Sequence, residues 1–311
     1  MDFVEEFKRL SSSDNLFIDS AEWEDDWENH FVIFVDLIAF ANRCLISTGV
    51  TLNNIIRFHR AVNEALDGLA DIKKYQFTDA CYILTKDAKT ALIVASNIQN
   101  ECLLYNYSIM QNYRHTMFHH LIVPKVVISK GNVLSFKNQE NINSLNKFAG
   151  ISANELLAGE GIVKAYYLEK RTTGGLVSVD KECVNFMKKC GSIENKIKTV
   201  SLYKKWKNDK ENELLSHDGV IDIPWLVLQP KQTKKGLLQI ENVSSFKEKL
   251  LAFNRIWRTS FTEHLAEGTS TETLKQYGGG ISHLCELMKS YLDIGPRSWD
   301  LIDLNYAINE M

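Results

Sequence analysis

The sequence has few of the features that mark a disulfide scaffold, a zinc site or a membrane span. Its six cysteines are scattered, with no C-x-x-C pair, so we interpret them as reduced and mostly buried thiols. No apolar run approaches the roughly 18 residues that a membrane-spanning helix needs, and the first ten residues lack the basic and then apolar pattern of a secretion signal. We therefore expect a cytoplasmic protein with no membrane partner.

Proline is also rare, since the chain has only four, and no stretch is of low complexity. A long disordered linker is therefore not expected. The net charge of -3 comes from 36 basic and 39 acidic residues, so no overall field would attract nucleic acid. The stretch 194–210 interleaves lysines with aromatic residues, but such a run is usually a solvated face, and nucleic acid is not an expected partner. With 311 residues, 45% of them hydrophobic, the chain can bury a large core.

The order of predicted elements indicates an α+β domain with a mainly antiparallel sheet and its helices on one face. The run FVIFVDLIAF at 31–40 is apolar almost throughout, which suits a strand buried on both faces. A helix with Thr51 as its N-cap follows. Two β-rich runs within 73–87 then meet at Thr78 and Asp79, which predicts a hairpin although no glycine marks its turn.

The rest of the chain is predicted to contain shorter elements. In chain order these are a helix capped by Asp87, the strands LIVPKVVIS and NVLSF separated by a turn at Lys130–Gly131, a helix near 152–168, the strand LVSV at 176–179, one strand in IDIPWLVLQ, a long amphipathic helix from about Ser245 to Ala266, and a final helical stretch after the glycines 278–280. We therefore divide the chain into an N-terminal arm at 1–28, a domain at 29–190, and an extension at 191–311 with one or two strands and C-terminal helices.

Two aspartates in this pattern call for a physical explanation. A carboxylate at the end of a buried strand is costly unless it is paired, capped or bound to a cation. Asp36 closes the first strand and Asp79 lies at the turn of the hairpin, so both can converge at one edge of the sheet. Two divalent cations would relieve their repulsion while binding a triphosphate. The spacing alone leaves open that Asp36 caps the following helical turn and that Asp79 is an ordinary turn residue.

The segments FVIFVDLIAF and KKYQFTDACYIL resemble the two metal-binding segments of class III adenylate and guanylate cyclases. In that family an Asp-x-x-Gly-Phe strand end and a Gly-Asp hairpin supply the metal carboxylates. Here Ala39 and Thr78 replace the glycines, while Phe40 and both acids are in place. The stretch at 159–179 resembles the family's next helix and strand, so the resemblance covers roughly residues 30–185. It implies a ferredoxin-like cyclase domain followed by a C-terminal helical extension.

The resemblance implies a nucleotidyl cyclase with two divalent cations, Mn²⁺ or Mg²⁺. Its metal ligands would be Asp36, Asp79 and the backbone carbonyl of Leu37. The substrate would be a nucleoside triphosphate whose ribose 3′-hydroxyl attacks the α-phosphorus and expels pyrophosphate. Because the family's site lies between two cyclase domains, one copy per chain implies a homodimer with two equivalent sites at the interface.

Several positions depart from the family's pattern. The family's ribose-binding Asn and transition-state Arg fall on Val163 and Tyr167, and Tyr167 can donate one hydrogen bond but carries no positive charge. The nearest cations that could replace the arginine are Lys164, Lys170 and Arg171. The alternative is that all three are solvated surface residues.

The base-reading positions have changed as well. Lys73 matches the family's base-binding lysine, but Leu156 replaces the purine-selecting acid, so a base other than a purine is favoured. Tyr75 shares a strand face with Lys73 and could stack on a base or pack in the core. The combination resembles the bacterial Pycsar pyrimidine cyclases, whose cyclic CMP or cyclic UMP activates an effector in antiphage defence. It implies UTP or CTP as substrate; the alternative is a catalytically silent cyclase-like module that binds a nucleotide or regulates a partner.

Overall fold

The computed structural model describes residues 26–38, 40, 44–45, 47–112, 120–135, 142–143, 156–170, 172, 177–180, 182–183 and 186, with four short strands between 198 and 240. The N-terminal arm predicted at 1–28 lies outside the described residues except for its last three. The helix predicted from Ser245 to Ala266 and the final helical stretch lie outside them entirely. Among the described helices, none is both long and apolar enough to cross a membrane.

The described elements alternate between strands and helices. They are β1 Trp27–Leu37, α1 Thr48–Leu66, β2 Lys73–Gln76, β3 Ala80–Thr85, α2 Ala88–Asn112, β4 Pro124–Leu134, α3 Glu160–Glu169, β5 Val177–Asp180, β6 Lys198–Thr199, β7 Val220–Ile223, β8 Leu228–Gln232 and β9 Leu238–Ile240.

Seven of these strands form one sheet in the order β2-β3-β1-β4-β5-β7-β6, and β8 pairs with β9 separately. The β4–β5 pairing is parallel and the other pairings are antiparallel, so the sheet is mixed and the predicted α+β class is confirmed. The extension contains four described strands where we expected one or two. These runs of two to five residues carry too little local signal to be predicted, because they form only when a partner strand is present. The domain boundary at 190 stays a prediction, although β6 and β7 join the sheet of β1.

Helices cover both faces of the sheet, which corrects the prediction that they lie on one. Side chains alternate along a strand, so β1 directs Phe31 and Ile33 into a core cluster with α1 and α2. Val32 and Phe34 point the other way, into a smaller cluster that contains Leu168 of α3. The prediction was wrong because a strand that is apolar at every position needs a cover on each face, and the ten-residue α3 provides the second cover.

The ends of the two long helices test the predicted caps. Helix α1 is capped by Ser47, whose side chain accepts a hydrogen bond from the Val50 N–H, and not by Thr51. Thr51 lies inside the first turn, where its hydroxyl donates to the Ser47 carbonyl at 2.9 Å. The predicted cap of α2 is confirmed, because the Thr90 N–H donates to Asp87 Oδ2 at 2.8 Å.

Strand β4 is continuous, so the predicted turn at Lys130–Gly131 is wrong. All eleven of its residues pair with β1. Gly131 serves close packing and not a turn, because a Cβ there would lie 2.6 Å from the backbone nitrogen of Gly161 in α3. The single strand expected in IDIPWLVLQ is also divided, since β7 ends at Ile223 and β8 begins at Leu228. Pro224, which follows β7, has no N–H to donate to a strand ladder.

Candidate functional site

Asp36 and Asp79 lie next to each other at one end of the sheet. The antiparallel pairing of β1 with β3 places Asp36 opposite Ala80, the residue directly after Asp79. The Leu37 N–H donates to the Asp79 carbonyl at 3.0 Å, which ties the β2–β3 turn to the end of β1. The backbone register therefore brings together the two aspartates that lie 43 positions apart in the sequence. Their role as metal ligands stays a prediction.

The carboxyl group of Asp36 is costly to ionise in this position. Its pKa is raised from 3.8 to about 7, mainly because burial disfavours the charged form. The negative charge of Glu169 raises the pKa further and that of Asp79 adds to it, while the positive charge of Lys125 lowers it. Asp36 is therefore influenced by two further carboxyl groups, which raise its pKa, and by Lys125, which opposes them.

Lys125 and Glu169 are the residues of this cluster that sequence reasoning did not single out as site residues. Lys125 pairs with Asp36 in the β1–β4 register, and Glu169 is the last residue of α3. Lys125 Nζ lies 2.6 Å from Glu169 Oε1, and the two side chains are 25% and 10% exposed. The sequence carries one signal that could have found Lys125, because it is the only charge in the apolar run LIVPKVVIS.

The turn that carries Asp79 is held by several hydrogen bonds. The Thr78 hydroxyl donates to Asp79 Oδ1 at 3.0 Å. The Phe77 N–H donates to the Ala80 carbonyl at 2.8 Å across the turn. On the helix side, Nε2 of His59 in α1 lies 2.8 Å from the Phe77 carbonyl oxygen. The carboxylate of Asp79 is therefore presented from a turn with contacts to β1 and α1.

The predicted base-binding residues lie further along the sheet. Lys73 pairs with Leu84, which pairs with Val32, four residues before Asp36 in β1. At roughly 3.3 Å per residue this register separates Lys73 from Asp36 by more than about 13 Å within one chain. Lys73 Nζ donates to the buried Ser135 hydroxyl at 2.6 Å. Lys73 also lines a cavity of about 440 Å³ at this end of the sheet.

Tyr75 lies on the same strand face as Lys73. It is partly buried and packs against the α3-side core cluster, and this burial raises the pKa of its hydroxyl. Leu156 is partly buried in the segment before α3. The next residues of that segment run along the end of β4, where the Leu134 N–H donates to the Ala158 carbonyl at 2.9 Å.

The positions that replace the family's Asn and Arg are on the surface of α3. Val163 is 53% exposed and Tyr167 is 58% exposed. Lys164 forms ion pairs with Glu160 at 2.9 Å and with Glu182 at 2.7 Å, and hydrogen bonds to these two carboxylates raise its pKa. Lys164 is therefore engaged on the protein surface in the described structure.

The remaining residues that were predicted to bind the ribose or the phosphates do not form a cluster among the described residues. Lys170 Nζ lies 4.1 Å from the centre of the Tyr166 ring, a cation–π contact. Phe40 is partly buried and packs against the core on the α1 and α2 face. Arg171 lies outside the described residues. The described contacts thus place Lys170 on an aromatic ring and Phe40 against the core.

No family model matches the chain, and no curated protein matches it. Solved cyclase structures do match: the guanylyl cyclase Cya2 has a TM-score of 0.45 at 12% identity, over 70% of this chain and 98% of that one. The adenylyl cyclase CyaB from P. aeruginosa has a TM-score of 0.40 at 13% identity, over 68% and 97%. The monomeric guanylyl cyclase domain of the RhoGC fusion protein from the aquatic fungus Blastocladiella emersonii has 0.39 at 15%, over 56% and 89%.

Within the described residues, no cluster of three or more His, Cys, Asp or Glu side chains is arranged to hold a metal ion. Among the described side chains the two aspartates are therefore a pair, to which the backbone, the substrate or water could add further ligands.

Proposed function

We propose that this chain is a nucleotidyl cyclase that converts UTP or CTP to the 3′,5′-cyclic monophosphate and pyrophosphate. The observation that carries the proposal is the meeting of Asp36 and Asp79, which the β1–β3 register brings to one end of the sheet. The choice of a pyrimidine nucleotide, and a role of the product as a messenger that activates an effector in antiphage defence, rest on the sequence resemblance.

The donor chemistry of the pair fits a divalent cation. Carboxylate and carbonyl oxygens are the ligands that Mg²⁺ and Mn²⁺ prefer, and Asp36, Asp79 and the Leu37 carbonyl would hold two such ions. The pKa of Asp36 is raised to about 7 by burial and by the charges of Glu169 and Asp79, and a nearby cation would oppose all three causes. When bound, the cations would lower the pKa of the ribose 3′-hydroxyl and neutralise charge on the phosphates.

The protein's own groups would orient the substrate around this pair. Lys125 lies opposite Asp36 and would offer a positive charge to a polyphosphate held at the two aspartates, while its ion pair with Glu169 limits the direction of its side chain. The Thr78 hydroxyl restrains the carboxylate of Asp79 through its hydrogen bond to Oδ1. Each of these contacts acts before the reaction, because it limits the motion of a group that would contact substrate or cation.

A homodimer is part of the proposal, and the separation of the two halves of the site within one chain supports it. Lys73, Tyr75 and Leu156 are the proposed base-binding residues, and the β2–β3–β1 register keeps Lys73 away from Asp36 of the same chain. We therefore place the base on one copy and the phosphates at the aspartates of the other. Phe40 and Tyr167, with Lys164, Lys170 and Arg171, remain the candidates for the ribose and phosphate side. Of the three cations, Lys164 has the least support, because it is already held by two carboxylates.

Turnover with each nucleotide tests the proposal directly. Purified protein is incubated with ATP, GTP, CTP or UTP and with Mn²⁺ or Mg²⁺, and cyclic monophosphate and pyrophosphate are measured. We expect product from UTP or CTP and a loss of at least about 100-fold in Asp36→Ala and Asp79→Ala. Asp67→Ala, at an exposed turn after α1, is the matched control and should retain wild-type activity. Turnover that survives in both active-site variants would rule out the two-cation mechanism.

A catalytically silent, nucleotide-binding module is the second candidate. It is favoured by the uncharged and exposed side chains of Val163 and Tyr167 and by the engagement of Lys164 with two glutamates. This candidate predicts that a nucleoside triphosphate with Mn²⁺ raises the thermal midpoint of the protein although no product forms with any of the four nucleotides.

A further inference from the structure

The turn that carries Asp79 does not contain a residue that would set its shape locally. Phe77, Thr78 and Asp79 connect β2 to β3, and none of them is glycine, which tight hairpin loops generally need for a positive φ. None of the three has a positive φ in the described backbone, where Asp71 is the non-glycine residue that does. Apart from the local hydrogen bond between Phe77 and Ala80, the orientation of the turn therefore depends on contacts with other parts of the chain.

His59 supplies one of these contacts from a different element. It lies in α1, 18 positions before Phe77, and its Nε2 is 2.8 Å from the Phe77 carbonyl oxygen. A carbonyl oxygen only accepts hydrogen bonds, so Nε2 carries the proton and donates. The preceding residue, Phe58, is fully buried in the core, which anchors this part of α1. The contact thus joins the turn to a helix position that packing holds in place.

The position of this hydrogen bond relates it to the candidate cation site. The Phe77 carbonyl belongs to the peptide that joins Phe77 to Thr78, and its direction sets the path of the backbone into Asp79. On the far side of the turn, the Leu37 N–H holds the Asp79 carbonyl at 3.0 Å. The two bonds fix the backbone on both sides of Thr78, and the Thr78 hydroxyl then restrains the Asp79 carboxylate.

We propose that His59 is a positioning residue for the carboxylate of Asp79. The inference rests on the proposed function, since it assigns His59 an effect on cation affinity through the turn. The side chain of His59 is partly exposed, so its removal leaves no cavity in the core. Groups that orient a metal ligand without touching the metal typically change metal affinity or activity by roughly tenfold or more.

The experiment compares three variants with the wild type. His59→Ala removes the donor, His59→Gln retains an amide N–H at a similar distance from the backbone, and Arg60→Ala changes the adjacent exposed residue of α1 as a control. Mn²⁺ binding is measured by the electron paramagnetic resonance signal of unbound Mn²⁺, in the presence of a non-cyclisable 3′-deoxynucleoside triphosphate. The Mn²⁺ concentration for half-maximal turnover, kcat and the thermal midpoint are measured in parallel.

We expect His59→Ala to weaken Mn²⁺ binding and to raise the Mn²⁺ concentration for half-maximal turnover, each on the order of tenfold, with a smaller change in kcat. His59→Gln should recover most of the affinity, and Arg60→Ala should match the wild type. The thermal midpoint of His59→Ala should shift by no more than about 2 °C, because one partly exposed hydrogen bond is lost from a large domain.

An Asp79→Asn variant separates this inference from the proposed function. Loss of Mn²⁺ binding in Asp79→Asn together with wild-type binding in His59→Ala would overturn the role of His59 and leave the function standing. Wild-type Mn²⁺ binding in Asp79→Asn would instead remove the cation site itself. If His59→Ala and His59→Gln lost affinity equally and melted earlier by the same amount, His59 would have a structural role only, and the inference would also fail.

Discussion

Replacing Asp36 by asparagine should stabilise the metal-free protein at pH 8, although Asp36 is a proposed active-site residue. The folded pKa of Asp36 is about 7, against 3.8 for an unperturbed carboxyl group. Below about pH 4 the carboxyl is protonated in both the folded and the unfolded chain. Between about pH 4 and pH 7 the unfolded chain ionises while the folded chain keeps its proton, so the free energy of unfolding falls as the pH rises. Above about pH 7 Asp36 is ionised in both the folded and the unfolded chain, and the loss of stability caused by its buried charge no longer changes with pH.

The size of the effect follows from the shift in pKa. The rise from 3.8 to about 7 corresponds to roughly 4 kcal/mol at about 1.36 kcal/mol per unit. Because Asp36 is only partly buried, solvent screening reduces this, and a penalty of about 2–4 kcal/mol at pH 8 is the reasonable range. An asparagine is similar in shape to a protonated aspartate and has no charge to bury. The advantage of the variant should therefore grow by about 1–3 kcal/mol between pH 5 and pH 8.

The assay is urea unfolding of the wild type and of Asp36→Asn at pH 5 and pH 8, with EDTA present to remove cations. Asp71→Asn is the matched control, since Asp71 is exposed and its φ of 57° is one that asparagine also adopts. The control should show the same difference from wild type at both pH values. Addition of Mn²⁺ at pH 8 should stabilise the wild type more than Asp36→Asn, because the cation replaces the charge penalty with a ligand bond.

A variant that is less stable than the wild type by the same amount at pH 5 and pH 8 would refute this reasoning. Such a result would mean that the folded protein does not disfavour the charge of Asp36. A difference in the free energy of unfolding near zero at both pH values would match the alternative in which Asp36 caps a helical turn. Asparagine is as good an N-cap as aspartate, so that alternative predicts no change.

Three further substitutions test other parts of the structure. Gly131→Ala should lower the free energy of unfolding by about 3 kcal/mol in urea, because its Cβ would lie 2.6 Å from a backbone nitrogen of α3; wild-type stability would contradict the close packing of α3 on β4. Glu169→Gln should bring the pKa of Asp36 closer to 3.8 and flatten the stability profile between pH 5 and pH 8, whereas an unchanged profile would contradict their electrostatic contact. Lys164→Met should leave turnover within about twofold, since both of its ion pairs run to exposed glutamates; a larger loss of kcat would give Lys164 a role on the substrate.

Features that depend on neighbouring residues were predicted from the sequence. The apolar run around Asp36 forms β1, and the two β-rich runs on either side of Thr78 and Asp79 form the β2–β3 hairpin. The cap of α2 at Asp87 is confirmed as well, because a side chain that accepts from an N–H three residues later is a local contact. The cap of α1 was placed four residues too late, since Ser47 and Thr51 are both residue types that cap helices.

Features that depend on contacts between distant residues were not predicted from the sequence. Gly131 is preceded by a lysine and followed by an asparagine, as in many turns, yet it lies within β4 because β1 offers eleven paired positions and α3 packs directly over it. The prediction that α3 lies on the same face of the sheet as the other helices was also wrong. The periodicity of a helix shows which of its sides is apolar, but not which face of a sheet that side will cover. Both errors concern contacts between elements and not the elements themselves.

For the candidate site, the sequence by itself determined the identity of Asp36 and Asp79 and placed each at the end of a strand or in a turn. Only the tertiary structure decided that they meet, because strand register is set by pairing across the sheet. The tertiary structure also decided that Lys125, Glu169 and His59 lie near the two aspartates. These three residues come from β4, α3 and α1, and more than 40 positions of the chain separate each from the next. The ionisation of Asp36 depends on burial and on those neighbouring charges, so it too is a property of the folded chain.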